Sequence, residues 1–466
     1  MALRVEIVES LGSLLEPLAE LLRTPTGALL MPELVAIPAI GVRLWLAEEL
    51  ARRLGTSGVS SSDGITTNIE FVFIGGLIGR ALGGRQAHAA WQVDPLTFRV
   101  LEVIADEPQL VPQNRRAEGL LPAARQIADL LDRYHVHRPL MIQAWANNSA
   151  TLTPADGRDT GPALAPQDQW QFEVWRRVRL LIGEPSPPER AADALAGLRQ
   201  GVVPADFPER IAIAGLAAIA PFHLQVLQAL ACAIDVHVWL LHPSPALAQR
   251  TQPLLGNLAQ RMPLPYSAHP ARNNANDQLL ASWARPAHDM QVLLAAAGIA
   301  PKFAPVPAQP ASLRGPLLAR MQQALRLDAV IPQPAVLDAG DRSVQIHCCH
   351  GEGRQAEVLR EVLLHTFTEL PGLDPRDVLV LAPNIVAMAP VLAAVFQPDT
   401  ADTAQALHLP FIVADRALRR THEVADALSA LLSLLASRWT TADVLAFAAR
   451  KVVQRRLQVD DAVVAG

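Results

Sequence analysis

The 466-residue chain is longer than one average domain, since domains run roughly 100–200 residues, and it predicts two or three. Half of the residues are apolar and 18% are charged, which excludes a disordered chain. The net charge of −5 excludes a surface coated in positive charge, but it allows a basic lining inside a tunnel.

The first element is a short strand over 3–8 (LRVEIV), followed by a helix over 14–23 with Leu14, Leu18 and Leu22 on one face. A second apolar strand follows at 34–37, then a turn from Pro38 to Gly41 and a helix over about 42–54 with Gly55 as its C-cap. Residues 55–64 (GTSGVSSSDG) predict a loop, and 75–84 (GGLIGRALGG) a loose helix with a glycine-rich end. From about 100 to 200 the pattern is helical, most clearly at 121–134 and 168–182. Strands return at 210–214 and 235–241, with a helix between them at about 221–232. Prolines punctuate 299–340, which predicts a linker carrying one helix near 313–326. A second α/β unit is then expected, with strands near 343–348 (SVQIHC) and 377–382 (DVLVLA) and helices near 354–367 and 423–436. Alternating strands and helices of this kind predict an α/β fold on a parallel sheet, interrupted by a helical insertion.

Chemical motifs are mostly missing. The first strand–loop–helix is where a P-loop NTPase would carry its phosphate loop, whose glycines open the backbone N–H groups to phosphate and whose lysine reaches it. Here the loop reads Glu9-Ser10-Leu11-Gly12-Ser13, with a carboxylate and no lysine. The chain's two lysines, Lys302 and Lys451, follow no glycine-rich loop. The strands also end without the acidic pair that holds Mg²⁺. His347-Cys348-Cys349-His350 lacks a second cysteine pair and is not expected to bind metal. With Cys232 the cysteine count is odd, a poor disulfide framework that suggests a reducing compartment. The N-terminal residues carry acid where a secretory signal has a basic start, and no run of about 20 apolar residues offers a membrane span. A cytoplasmic protein without membrane association is therefore expected.

Arginines cluster at Arg115/Arg116, Arg176/Arg177/Arg179, Arg419/Arg420 and Arg455/Arg456, with Trp170 and Trp175 flanking the second group. The pattern suits either stacked single strands beside arginine or ordinary solvated and packed helix faces.

Several segments, in order, resemble the RecC family (exodeoxyribonuclease V gamma subunit, N-terminal part). They are PELVAIPAIGVRLWL (32–46), ITTNIEF (65–71), RQIADLLDRYHVHRP (125–139), and RIAIAGLAAIAPFHLQVLQAL with DVHVWLLHP (within 209–243). LLASWARPAHDMQVLL (279–294), VQIHCCHGEGRQAEVLREVLL (344–364), LDPRDVLVLAPNIVAMAPVLAAVF (373–396) and LPFIVADRALRR (409–420) continue the match. The resemblance implies a degenerate superfamily 1 helicase-like fold, with RecA-like parallel-sheet lobes, a helical insertion and no functional ATPase motifs. On that reading residues 1–300 form the first lobe with its insertion at about 85–200, 301–340 a linker, and 341–466 the start of a truncated second lobe.

The resemblance further implies a non-catalytic DNA-binding subunit of a RecBCD-type complex that needs no cofactor. Such a subunit channels unwound strands and scans for a Chi-like signal in double-strand break repair. Its expected partners are single-stranded and duplex-end DNA, a RecB-like helicase/nuclease subunit and a RecD-like helicase subunit. The positions matching the family's strand-reading residues are Asp129, Leu130, Asp132 and Arg138, with Arg190 a looser match. Read without the resemblance, the two aspartates are a solvated helix face and Arg138 a salt-bridge partner. The family's polar turn residues are replaced here by Pro38, Ile40 and Leu44, and an expected aromatic by Gly79, which leaves the signal undefined. The alternative is an active ATP-dependent helicase with an unrecognised nucleotide site. Residues 458–466 do not read as a natural domain end, so a piece of a longer protein is expected.

Overall fold

The computed structural model describes residues 2–24, 26, 31–55, 64–83, 89–117, 119–152, 161–204, 207–255, 274–303, 315–330, 338–396, 409–413, 423–435 and 439–458. The loop expected at 55–64 lies almost wholly outside these residues, as do Arg419/Arg420 and the last eight positions. The chain divides into two units, Met1–Ser343 and Val344–Gly466.

The first unit is α/β. In chain order it begins β1 (Leu3–Val8), α1 (Leu11–Arg23), β2 (Glu33–Ile37), α2 (Ile40–Leu54), β3 (Ile69–Phe73) and α3 (Ile74–Ala81). A helical stretch follows, α4 (Val93–Asp106), α5 (Leu120–His137), α6 (Pro139–Ala146), α7 (Gln169–Ile182) and α8 (Pro187–Arg199). The sheet then resumes with β4 (Arg210–Leu216), α9 (Pro221–Leu230) and β5 (Asp235–Leu241). The unit ends with α10 (Pro245–Leu255), α11 (Gln278–Trp283), α12 (Arg285–Ala296), β6 (Lys302–Phe303) and α13 (Leu317–Leu327). Within the Pro-rich segment, the described residues thus supply a strand and a helix to this unit.

Among the described residues the sheet has six strands in the order β3-β2-β4-β5-β1-β6. Every pairing is parallel. Central β4 is buried along its whole length, as expected where helices cover both faces of a parallel sheet. Its residues alternate between two cores. Ile211 and Ile213 join Leu77, Phe222, Leu227 and Leu294 on one face. Ala212 and Ala214 join Leu14, Leu18, Leu46 and Leu50 on the other. Helices α4–α7 bury a separate core on Trp91, Leu96, Trp145 and Trp175. There Trp145 meets Trp175 edge-on at 5.9 Å.

Strand β3 lies at the sheet edge, and none of its residues is fully buried. At the end of β4, Gly215 adopts φ +78° beside a register shift, and a Cβ there would collide with Leu11 Cδ2. Gly215→Ala is therefore expected to cost about 1–3 kcal/mol through left-handed backbone strain and overpacking. A urea titration that left the first unit's midpoint unmoved would contradict this.

The second unit contains α14 (Gly351–Glu369), α15 (Ile385–Phe396), α16 (Glu423–Leu435), α17 (Thr441–Ala448) and α18 (Lys451–Leu457). Its core joins Ala356, Leu392, Phe396 and Leu409. The strands expected near 343–348 and 377–382 do not form. The apolar alternation is present, but a strand also needs a neighbour's N–H and C=O groups. Among the described residues no ladder reaches either segment, and Ile346, Leu379 and Leu381 are more than 80% exposed.

Candidate nucleic-acid interface

Strands β2 and β3 run side by side with Ile37 opposite Phe73, so their C-terminal ends open onto one rim. Helix α3 leaves that rim with the sequence IGGLIGRA, and a Cβ added to Gly75 or Gly76 would meet nothing within 4 Å. Across from it, α5 presents Asp132, His135 and Val136, residues at i, i+3 and i+4 that share one helix face. Between them lies a cleft of about 630 Å³, closed by Trp91 and by Phe222 and His223 at the start of α9. That volume falls in the roughly 300–1,000 Å³ range of small-molecule sites.

The walls are held by internal contacts. Glu70 of β3 pairs with Arg80 of α3 at 3.0 Å, tying strand to helix beside the cleft. His135 is buried, stacks edge-on against Trp91 at 5.2 Å, and accepts from Trp175 Nε1 at 3.4 Å. Burial lowers the His223 imidazole to about 4, with His137 adding to the effect, so it is neutral at pH 7. Asp132 differs from these groups. It is half-buried, and among the described residues its carboxylate has no hydrogen bond or ion pair. Burial first, and then the charge of Asp129, raise its pKa above the ordinary value.

Of the five positions expected from the family resemblance, Asp132 alone lines the cleft. Asp129 lies on the same helix, 3.7 Å from Arg125 Nε, and Leu130 is half-buried beside it. Arg138 stands at the junction of α5 and α6, where its N–H donates to the Tyr134 carbonyl at 2.9 Å. Its guanidinium is exposed and engages no described residue through a hydrogen bond or ion pair. Arg190, on α8, pairs with Glu184 at 2.9 Å. Around the rim the replaced turn residues Ile40 and Leu44 are about 60% exposed, and Phe73 is 51% exposed.

The arginine cluster of α7 is internal bracing. Arg176 pairs with Glu173, Arg177 with Glu107 and Glu173, and Arg179 with Glu189. Trp175 is fully buried in the helical core. Among the described residues no group of three or more His, Cys, Asp or Glu side chains could hold a metal, and no helix is long and apolar enough to cross a membrane. The β1–α1 loop is closed on itself. Ser10 Oγ accepts from the Ser13 N–H, Ser13 Oγ accepts from the Ser10 N–H, and Glu9 lies 3.6 Å from Arg326. Sequence reasoning missed Trp91, Phe222 and His223 as cleft residues, and read 75–84 only as a loose helix with a glycine-rich end.

These features define an α/β protein with a helical insertion and a cleft beside one edge of its sheet. A family model described as RecC, N-terminal domain, matches residues 3–328. Curated relatives extend the likeness. The RecBCD enzyme subunit RecC of Mycobacterium tuberculosis (strain ATCC 25618 / H37Rv) is 32% identical over 99% of this chain and 42% of its own length. Its counterpart in Mycolicibacterium smegmatis is 31% identical over 99% of this chain and 41% of its own. That of Escherichia coli (strain K12) is 25% identical over 92% and 41% respectively. The chain belongs to the RecC family. It spans about two fifths of the length of the curated relatives it matches.

Proposed function

We propose that this chain is the DNA-guiding, non-catalytic part of a RecBCD-type exodeoxyribonuclease V, acting in double-strand break repair by recombination. The family membership across 3–328 carries the reading. In it, residues 1–300 form a first helicase-like lobe with a helical insertion at about 85–200, to which the described part of 301–340 adds β6 and α13 in place of a separate linker, and 341–466 begin a second lobe. RecB-like and RecD-like subunits supply the motors and the nuclease, and the protein works in the cytoplasm.

The chemistry of the β1–α1 loop supports the absence of ATP hydrolysis. Phosphate binding at a helix N-terminus needs free N–H groups and positive charge. Here a reciprocal serine cap occupies the first turn, and the adjoining residue is a carboxylate. Equilibrium binding of Mg·ATP to the isolated chain is expected to be undetectable, and measurable affinity would overturn this part of the proposal.

Single strands are held by phosphate contacts and read at base edges. Arg138 suits the first role because its charge is exposed and uncompensated. Asp132 suits the second because a carboxylate accepts from base amino groups. Asp129, Leu130 and Arg190 complete the proposed contact set and scan the passing strand. Arg138→Ala is expected to weaken oligonucleotide binding and to lower the salt slope by about one. Anisotropy titrations across a salt series measure both, and an unchanged slope would remove Arg138 from the interface.

A further inference from the structure

Cys348 and Cys349 are neighbours in the chain, and both thiols are free. Cys348 is exposed and Cys349 is half-buried. On the N-terminal side they continue the extended segment at 343–348, whose backbone no ladder fixes among the described residues. The C-terminal side is open as well. Gly351 adopts φ +83°, and a Cβ added to Gly351 or Gly353 would meet nothing within 4 Å. Positive potential gathers at the same spot. No side chain caps the 19-residue helix α14 at His350, which leaves the positive end of its dipole beside the pair. Arg354, in the first turn, pairs with Glu357 at 2.8 Å. Its pKa is raised by Glu357 first, with Cys349 adding to the effect, so the guanidinium lies within electrostatic reach of that sulfur. Positive charge beside a thiol favours the thiolate, which is the reactive form.

We propose that Cys348 and Cys349 form a reversible redox-modification site whose reaction partner is a low-molecular-weight disulfide of the glutathione type. Cys348, the more exposed sulfur, attacks one sulfur of the small disulfide. The small S–S bond breaks, a mixed disulfide forms on Cys348, and one small thiol leaves with the proton that Cys348 gave up. Cys349 then attacks the Cys348 sulfur, the mixed disulfide breaks, and the second small thiol leaves with the Cys349 proton. The protein has lost two hydrogens, and the small disulfide has gained them. Consecutive Cα atoms are about 3.8 Å apart, short of the roughly 4.4–6.8 Å that a disulfide usually spans. The closed ring is therefore strained, and strained, exposed disulfides are the readily reduced ones. A reducing compartment keeps the pair open, and a shift toward oxidation closes it. Cys232 supplies the contrast. It is exposed just after α9 and has no adjacent cysteine, so its reaction stops at the mixed disulfide.

The test uses the reduced 466-residue chain, exposed to oxidised glutathione at a level that modifies Cys232, then alkylated with N-ethylmaleimide and cut with trypsin. Cleavage after Arg342 and Arg354 puts both cysteines in one peptide, 343–354, and Cys232 in another. By mass spectrometry the 343–354 peptide is expected to lose two hydrogens and to carry neither glutathione nor maleimide. The Cys232 peptide should carry glutathione. Dithiothreitol should return both thiols of the pair to maleimide labelling. In Cys349→Ser the glutathione adduct should persist on Cys348, because the closing sulfur is gone. A native 343–354 peptide that retains glutathione in place of an internal disulfide would overturn ring closure. One that is alkylated at both cysteines while Cys232 is glutathionylated would overturn the site itself. Both of these readings come from the native chain, so they hold whether or not the variant folds.

Discussion

Acidification from pH 7 to pH 4 should strip several kcal/mol of stability from the first unit, because two of its histidines are buried in the neutral form. Burial lowers His223 and His242 to about 4, with His137 and His288 contributing in turn. Both lie well below the unfolded value of roughly 6.5, so the unfolded chain binds the extra protons first. The associated stability is present in full above about pH 6.5 and is lost as the pH falls toward 4, on the order of 3 kcal/mol for each histidine. His242 is 1% exposed, and its Nδ1 accepts from the Ser244 N–H at 3.1 Å. Asparagine could keep that acceptor without the titration, so His242→Asn should flatten part of the profile. Urea midpoints followed between pH 7.5 and 4.5 measure the effect. A profile that is level from 6.5 to 4.5 would contradict the burial argument.

Asp328→Ala should be strongly destabilising, at about 2–5 kcal/mol, chiefly because it leaves two backbone N–H donors without their acceptor. The Asp328 side chain is 0% exposed and pairs with Arg250. Its carboxylate also accepts from the backbone N–H groups of Asn276 at 2.9 Å and Asp277 at 3.2 Å. One side chain thus joins the end of α13 to α10 and to the entry of α11. Its backbone is left-handed at φ 50°, which asparagine tolerates better than alanine. Stability should therefore rank the native protein above Asp328→Asn, and Asp328→Ala last. Thermal unfolding that places alanine at or above asparagine would show that the carboxylate is not the hub.

Local signals explain which elements could be read from sequence. Strands β1, β4 and β5 are apolar runs that pair with neighbours, so their boundaries are clear in the residues themselves. Strand β3 is not among the predicted strands although IEFVF is rich in β-branched and aromatic residues. The opposite failure came at 377–382, where DVLVLA has the composition of a strand but no described partner to complete it. Propensity is necessary there, and pairing decides. The arginines at 176–179 were ambiguous because sequence carries no record of Glu107 and Glu189, which neutralise Arg177 and Arg179. Asp132 enters as an expected strand-reading residue through the family pattern alone. The cleft was not, because residues 70–82, 91–93, 132–136, 187 and 222–223 are brought together only by the tertiary fold.

The aromatic core of α4–α7 makes that layer an optical reporter. Trp91, Trp145, Trp170 and Trp175 all belong to it, half of the chain's eight tryptophans. Trp91 also forms part of the cleft wall. Half of the intrinsic emitters therefore sit in this one helical layer, and its unfolding would register in the fluorescence without any attached dye.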